Sequence, residues 1–213
     1  MREFNYEDIV SNVKVYGLED SIKRSKYPMS VDVDSLTDEI TNRTNALAGA
    51  PRGSGHDNFL KGIVVQFDLT YTVKAWTEAE RYHWFDIVSS QSTMHRITKF
   101  DLDKAYVDYV DQRIVDIMKE KVNEYNRLAN DKHLDALTED ELAAHREMLA
   151  EKYLEILYSN PCGFKLTAGM TTNYQQLKTM YGQREFHRLP EWRAFCRWIR
   201  TLPHSEFITG KFE

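Results

Sequence analysis

The 213 residues predict an α+β fold with most of its mass in helices. Three features carry this. Residues 63–73 alternate apolar and polar side chains, the mark of a half-buried antiparallel strand. Two long amphipathic segments between about 101 and 160 form an antiparallel helical hairpin. Strand patterns are few and lie apart from the helical ones, so a parallel βαβ architecture is not expected. No linker composition divides the chain, and 1–213 is predicted as a single domain with the hairpin as an insertion at about 101–160.

The elements follow in order. Residues 30–58 begin polar, allow a short helix from Thr37, and end in a loop at 48–55, Ala-Gly-Ala-Pro-Arg-Gly-Ser-Gly. In the strand that follows, Ile63, Val65, Phe67, Leu69, Tyr71 and Val73 share one face, with Gln66, Asp68, Thr70 and Thr72 on the other. Thr77 with Glu80 has the spacing of a capping box, and Trp76, Ala79, His83 and Ile87 fall on one helical stripe. The next helix is predicted from about Asp101 to Asn130, with Val107, Val110, Ile114, Ile117 and Val122 inward. A third starts at Thr138, capped with Glu141, turns Leu142, Leu149, Tyr153 and Leu157 inward, and stops at Pro161. Residues 163–169 suit a second strand. Residues 171–185 and 189–202 are two shorter helices, the latter opening with Pro190.

Composition narrows the function classes. With 42% hydrophobic and 29% charged residues the chain falls in the soluble globular class. A net charge of -5 argues against a protein whose main task is gripping duplex DNA. From Gly163 onward there are eight Lys/Arg against four Asp/Glu, a basic quarter on an acidic body, which suits a local anion site or equally a solvated helix face. Twelve Tyr, ten Phe and four Trp supply the aromatic surface that a planar ligand needs. Cys162 and Cys196 form neither a metal-type spacing nor a disulfide framework, which suits a reducing compartment. The N-terminus lacks an apolar signal core and no run approaches transmembrane length, so a cytoplasmic location is expected.

Three polar constellations could carry chemistry. The loop 53–59 presents His56, Asp57 and Asn58 between glycines and the strand, where backbone amides can approach an anion; taken alone, a plain solvent turn is the better account of it. In the second, Arg81 and His83 are expected on a helix, with Ser89, Ser90, Gln91, Ser92, His95 and Arg96 crowding the turn after it. Arginine forks with hydroxyls at a helix end suit phosphate or carboxylate, although His83 could simply be a satisfied core histidine. The third, 173–192, holds Asn173, Gln176, Gln183, Arg184, His187 and Arg188, and its amides offer the paired donor and acceptor that a pyrimidine or flavin edge requires. There is no nucleophile elbow, phosphate-binding loop or zinc ligand set, so the reactive group of an enzyme here would come from a cofactor.

In this order the three blocks resemble the flavin-dependent thymidylate synthases. "GHDNF" stands for that family's Gly-His-Glu-Thr-Pro-Phe-like loop, and "RYH" (81–83) for its first Arg-His-Arg triplet. "SSQSTMHR" (89–96) keeps the seven-residue step from Ser89 to Arg96, and "NYQQL" with Arg184 keeps the eleven steps from Asn173. The sequence departs by three extra residues before Ser89 and by His83, Ser92, Met94 and Gln175 where the family has Arg, Glu, Ser and Arg; Leu157 stands in place of an arginine that holds substrate phosphate. The resemblance implies a central antiparallel sheet with helical arms and a homotetramer. It further implies FAD, with reduced nicotinamide and methylenetetrahydrofolate as co-substrates, and a pyrimidine deoxynucleotide that is methylated when reduced flavin relays a one-carbon unit and hydride to the ring. In the implied roles His56, Asn58, Arg81, His83 and Asn173 hold flavin, while Ser89, Gln91, Arg96, Gln176 and Arg184 hold the nucleotide. Arg184 also serves the chemistry, with Ser92 at the position of the motif glutamate. Two rivals stand beside a divergent thymidylate synthase-like enzyme: a flavin- or nucleotide-binding protein that lost the chemistry, and a helical nucleic-acid binder using Arg193, Arg197 and Arg200.

Overall fold

A computed structural model describes residues 3–212. Strands β1 (Val10–Tyr16), β2 (Val64–Thr72), β3 (Phe85–Ser90) and β4 (Lys165–Asn173) form an antiparallel sheet in the order β1-β2-β4-β3, and the remaining regular structure is helical, an α+β fold. The helices are α1 (Leu18–Arg24), α2 (Asn42–Ala48), α3 (Val73–Ala79), α4 (Thr93–Arg96), α5 (Gln112–Ala129), α6 (Glu139–Ser159), α7 (Tyr174–Arg184), α8 (Pro190–Ile199) and α9 (Glu206–Thr209). None is long and apolar enough to cross a membrane. The chain forms two compact units: Met1–Tyr71, Ala75–Ser90 and Thr167–Glu213 make the first, Thr72–Lys74 and Gln91–Leu166 the second.

In the first unit the alternation along β2 does what period two requires. Val65, Phe67, Leu69 and Tyr71 are buried, while Gln66 on the opposite face is exposed. They face α8, which Pro190 opens at its first turn and which brings Trp192, Phe195 and Trp198 onto the sheet. Phe67 packs 4.6 Å from Trp198, Phe85 5.7 Å from Phe195, and Tyr71 edge-on 5.1 Å from Trp192. Rings of this size bury more apolar area per residue than aliphatic side chains do.

Two predicted elements differ here. The helix after β2 begins directly at Val73 and ends at Ala79, so Thr77 lies inside it and no capping box forms there. Trp76 and Ala79 are buried as the stripe requires, but His83 lies beyond the helix and Ile87 in strand β3. Residues 85–90 pair antiparallel with β4, Phe85 opposite Thr172 and Ser90 opposite Ala168, with a register shift between Ile87 and Ser89. Backbone pairing with an available strand edge outweighs a helical periodicity of only four positions, and Phe85, Ile87 and Val88 are residues that strands favour. Strand β1 has no counterpart in the prediction, because its pattern Val-Ser-Asn-Val-Lys-Val-Tyr buries only Val10.

In the second unit α5 and α6 form the predicted hairpin. The Thr138 hydroxyl accepts from Glu141 N at 3.4 Å and the Glu141 carboxylate accepts from Thr138 N at 2.8 Å, so this capping box is real. Helix α5 starts at Gln112, eleven residues later than predicted, where the Asp111 carboxylate accepts from Arg113 N at 3.0 Å. Residues 101–111 are instead irregular and bridge Tyr106 to Phe164. The buried stripe is Val115, Met118 and Val122, closed by Ile156 of α6 and by Phe164. Ile114 and Ile117, predicted inward, are exposed: the face that packs on the core carries Val115, Met118 and Val122, one residue further round the helix.

Candidate functional site

In the first unit a cavity of about 430 Å³ is lined by residues from all three polar blocks: Arg52, Gly53, Gly55, Asp57, Asn58 and Lys61 from the loop, His83 and Trp84 from the turn before β3, and Gln175, Gln176 and Thr179 from α7. Gly53 and Gly55 have φ of +81° and +78°, left-handed conformations that let the loop fold back over its own start. What holds the loop against α7 is a buried ionic knot. The Lys178 ammonium donates to the carbonyls of Ala48 and Ala50 at 2.6 and 2.7 Å and to the Asp57 carboxylate at 3.0 Å, while the Gln175 amide donates to the other Asp57 oxygen at 2.9 Å. Asp57 is fully buried, so this charge is tolerated only because both of its oxygens are engaged.

The start of α7 is equally constrained. The Asn173 side-chain oxygen accepts from Gln176 N at 2.9 Å, a normal N-cap, and the backbone N–H of Tyr174 donates to Ile63 at the entrance of β2. Trp84 is held through its carbonyl, which accepts from the Thr172 hydroxyl, and leaves its indole 64% exposed. With Asp57 neutralised by Lys178, Arg52 and Lys61 leave the cavity wall cationic, and neither has an ion-pair partner among the described residues. Such a cavity offers cations, one indole surface and amides, which is receptor chemistry for a planar ring carrying phosphate.

Asn58, His83 and Gln176 are therefore brought together. His56 sits on the same loop, exposed, and Arg81 is exposed on the turn two residues before His83, but neither lines the cavity. Asn173 serves as the helix cap. Ser89 lies in β3 opposite Gly169, in a strand and not in the helix-end turn expected for it. Gln91, Ser92 and Arg96 belong to the second unit, where Ser92 is the residue before α4 and its hydroxyl makes no capping bond.

The third predicted block divides in two. Arg184 ends α7, ten residues and about 15 Å from its start. Its guanidinium donates to Glu78 at 2.8 Å and to the Tyr82 hydroxyl at 2.7 Å and stacks 4.7 Å over Trp192, with His187 Nε2 3.2 Å from the same Glu78 oxygen. This part-buried cluster separates Arg184 and His187 from the amides that share their sequence block. The later arginines are also engaged: Arg193 and Arg197 hold the Glu3 carboxylate at 2.9 Å, depressing its pKa, and Arg200 pairs with Glu185 and the Tyr181 hydroxyl. Burial pushes the Cys196 thiol up to about 12, so it is packing and not a nucleophile.

Sequence reasoning missed Arg52, Lys61, Trp84, Gln175 and Lys178. Gln175 and Lys178 are three apart and so face the same way on a helix, the one signal that was available. The others gain meaning only once the loop is folded.

No family model matches this sequence, and no curated protein matches it. Solved structures do. The chain is similar to a flavin-dependent thymidylate synthase from Helicobacter pylori complexed with FAD and dUMP, with a TM-score of 0.65 and 12% identity over 96% of this chain and 100% of that one. A second structure of the enzyme from the same organism, also with FAD and dUMP, gives a TM-score of 0.63 and 12% identity over 93% and 98%. At this identity the likeness is one of fold.

Proposed function

We propose that this protein is a divergent flavin-dependent thymidylate synthase-like enzyme that binds FAD and a pyrimidine deoxynucleotide. The observation that carries the proposal is the cationic cavity in which the loop 52–58, His83 and the start of α7 converge, in a fold similar to structures that hold FAD and dUMP. The residues present fit such a group: Arg52 and Lys61 would pair with phosphate, Trp84 would stack on a ring, and Gln176 is an unpaired buried amide. Bound flavin would supply the redox relay of a one-carbon unit and hydride, with methylenetetrahydrofolate as carbon donor and reduced nicotinamide as reductant. Within that scheme Asn58, His83 and Gln176 orient the ring system. The roles of His56, Arg81, Ser89, Gln91, Ser92 and Arg96 rest on the sequence resemblance alone.

A rival is specifically favoured by Arg184. With its guanidinium engaged by Glu78 and Tyr82, and with Ser92 and Gln175 replacing a glutamate and an arginine, the chain could retain the ligand and lack the reaction. One experiment addresses both. FAD added to purified protein should remain bound through gel filtration, with absorbance near 450 nm, the usual region for oxidised flavin. Turnover of deoxyuridylate with reduced flavin and methylenetetrahydrofolate then establishes the enzyme, and bound flavin without turnover establishes the rival. A protein that retains no FAD overturns both. The homo-oligomer we also propose draws support from the hairpin, which leaves Ile114, Ile117, Leu154 and Tyr158 exposed; light scattering that gives a monomer rules it out.

A further inference from the structure

Four side-chain amides surround the cavity or begin the helix that floors it, and three of them already have a partner within the fold. Asn173 caps α7, Gln175 donates to Asp57, and the Asn58 oxygen lies 3.5 Å from the Gln175 amide. Gln176 is the exception. It keeps 9% of its surface and lines the cavity, and its Nε2 is buried with no hydrogen-bond partner among the described residues. A buried amide without a partner is destabilising, and native structures rarely keep one without a use. Its terminal torsion is soft and nearly two-fold, so either end of the amide can turn toward the cavity.

We infer that Gln176 is the specificity-determining residue of this cavity, pairing side by side with the imide edge of a phosphorylated heterocycle, a ring N–H flanked by a carbonyl. A primary amide offers one donor and one acceptor in the same plane, and that edge is their complement. The inference rests on the ligand class proposed above and deepens it. Uracil nucleotides and flavins share the edge; cytosine reverses it, and an amide that can turn follows the reversal, so the change that no orientation of the amide can match is methylation of the imide nitrogen. Arg52 and Lys61 supply the phosphate contacts without regard to the ring, and among the side chains left to face the ring, Asn58, His83 and Gln176, it is Gln176 whose buried amide nitrogen has no partner among the described residues.

Calorimetric titration with four probes tests this: FMN, FMN methylated at the imide nitrogen, dUMP and dUMP methylated at N3. The wild-type chain should bind FMN or dUMP over its N-methyl derivative by about tenfold or more, the effect of leaving a buried polar group unpaired. The pair that shows the preference identifies the source of the ring. Gln176→Met, close in volume, should bring that preference within about threefold while phosphate-dependent binding persists. In the absence of ligand it should raise the urea midpoint, because the unpaired amide is gone. Binding of FMN or dUMP with the same discrimination in Gln176→Met overturns the inference and leaves the proposed function intact. A Gln176→Met chain less stable than wild type shows that the amide is already satisfied and also overturns the inference. Failure of the wild type to bind FMN and dUMP overturns the inference together with the proposed function.

Discussion

Asp57 lies in a glycine-flanked loop of the kind that usually faces water, yet it is fully buried between Lys178 and Gln175. Removing one partner of a buried pair leaves the other charge uncompensated, which costs about 3–5 kcal/mol. Asp57→Ala should lower the unfolding free energy by that amount in urea titration and loosen the loop 48–58, seen as faster amide exchange there. Glu185 behaves differently because it is near the surface. The Tyr181 hydroxyl donates to its carboxylate and Arg200 pairs with it, together holding its pKa below the usual 4.5. A depressed folded pKa means that the stabilisation is present above the unfolded carboxylate pKa and is lost as pH falls through the folded one. Glu185→Gln should therefore cost about 1 kcal/mol at pH 7, the upper range for a partly exposed pair, and progressively less as pH falls below the ordinary carboxylate range, by urea midpoints along a pH series.

Elements were legible where one short-range signal sufficed. The capping box at Thr138, the stop at Pro161, Pro190 at the start of α8 and the alternation of β2 are all local, and all stand. Thr138→Ala should cost about 1 kcal/mol and remove protection from the first-turn amides of α6, read by hydrogen exchange. Strand β3 was misread as helix because pairing with β4, more than 75 residues away in sequence, decides its state. The onset of α5 was misplaced for the converse reason: residues 101–111 have helical spacing but pack irregularly around Phe164. The cavity inherits both kinds of result. Asn58 and Gln176 were identifiable as ligand-type residues, whereas Trp84 acquires its exposed position only because α3 ends at Ala79 and β3 begins at Phe85.

At the scale of the whole molecule, net charge does not mark the cationic site. The basic C-terminal quarter suggested an anion site, but Arg184, Arg193, Arg197 and Arg200 each have a carboxylate partner. The cations without one at the cavity, Arg52 and Lys61, come from the acidic part of the chain. Paired and unpaired charges count equally in composition, and only the unpaired ones attract a ligand. Binding of FMN or dUMP should thus weaken with added salt, and Arg52→Ala or Lys61→Ala should reduce affinity by about tenfold, whereas Arg193→Ala should leave it unchanged. Equal effects from all three variants would point to the field of the whole protein instead of the cavity.

By itself the sequence determined the α+β class, the helical hairpin with its cap, the half-buried central strand and the three polar blocks, because each is written in neighbouring residues and their period. The tertiary structure alone decided which polar groups are spent and which are available. Whether Lys178 meets Asp57, Arg184 meets Glu78, or the Gln176 Nε2 finds no partner among the described residues depends on contacts between residues up to 121 positions apart, and a hydrogen bond or ion pair consumes a functional group without leaving any trace in the local pattern.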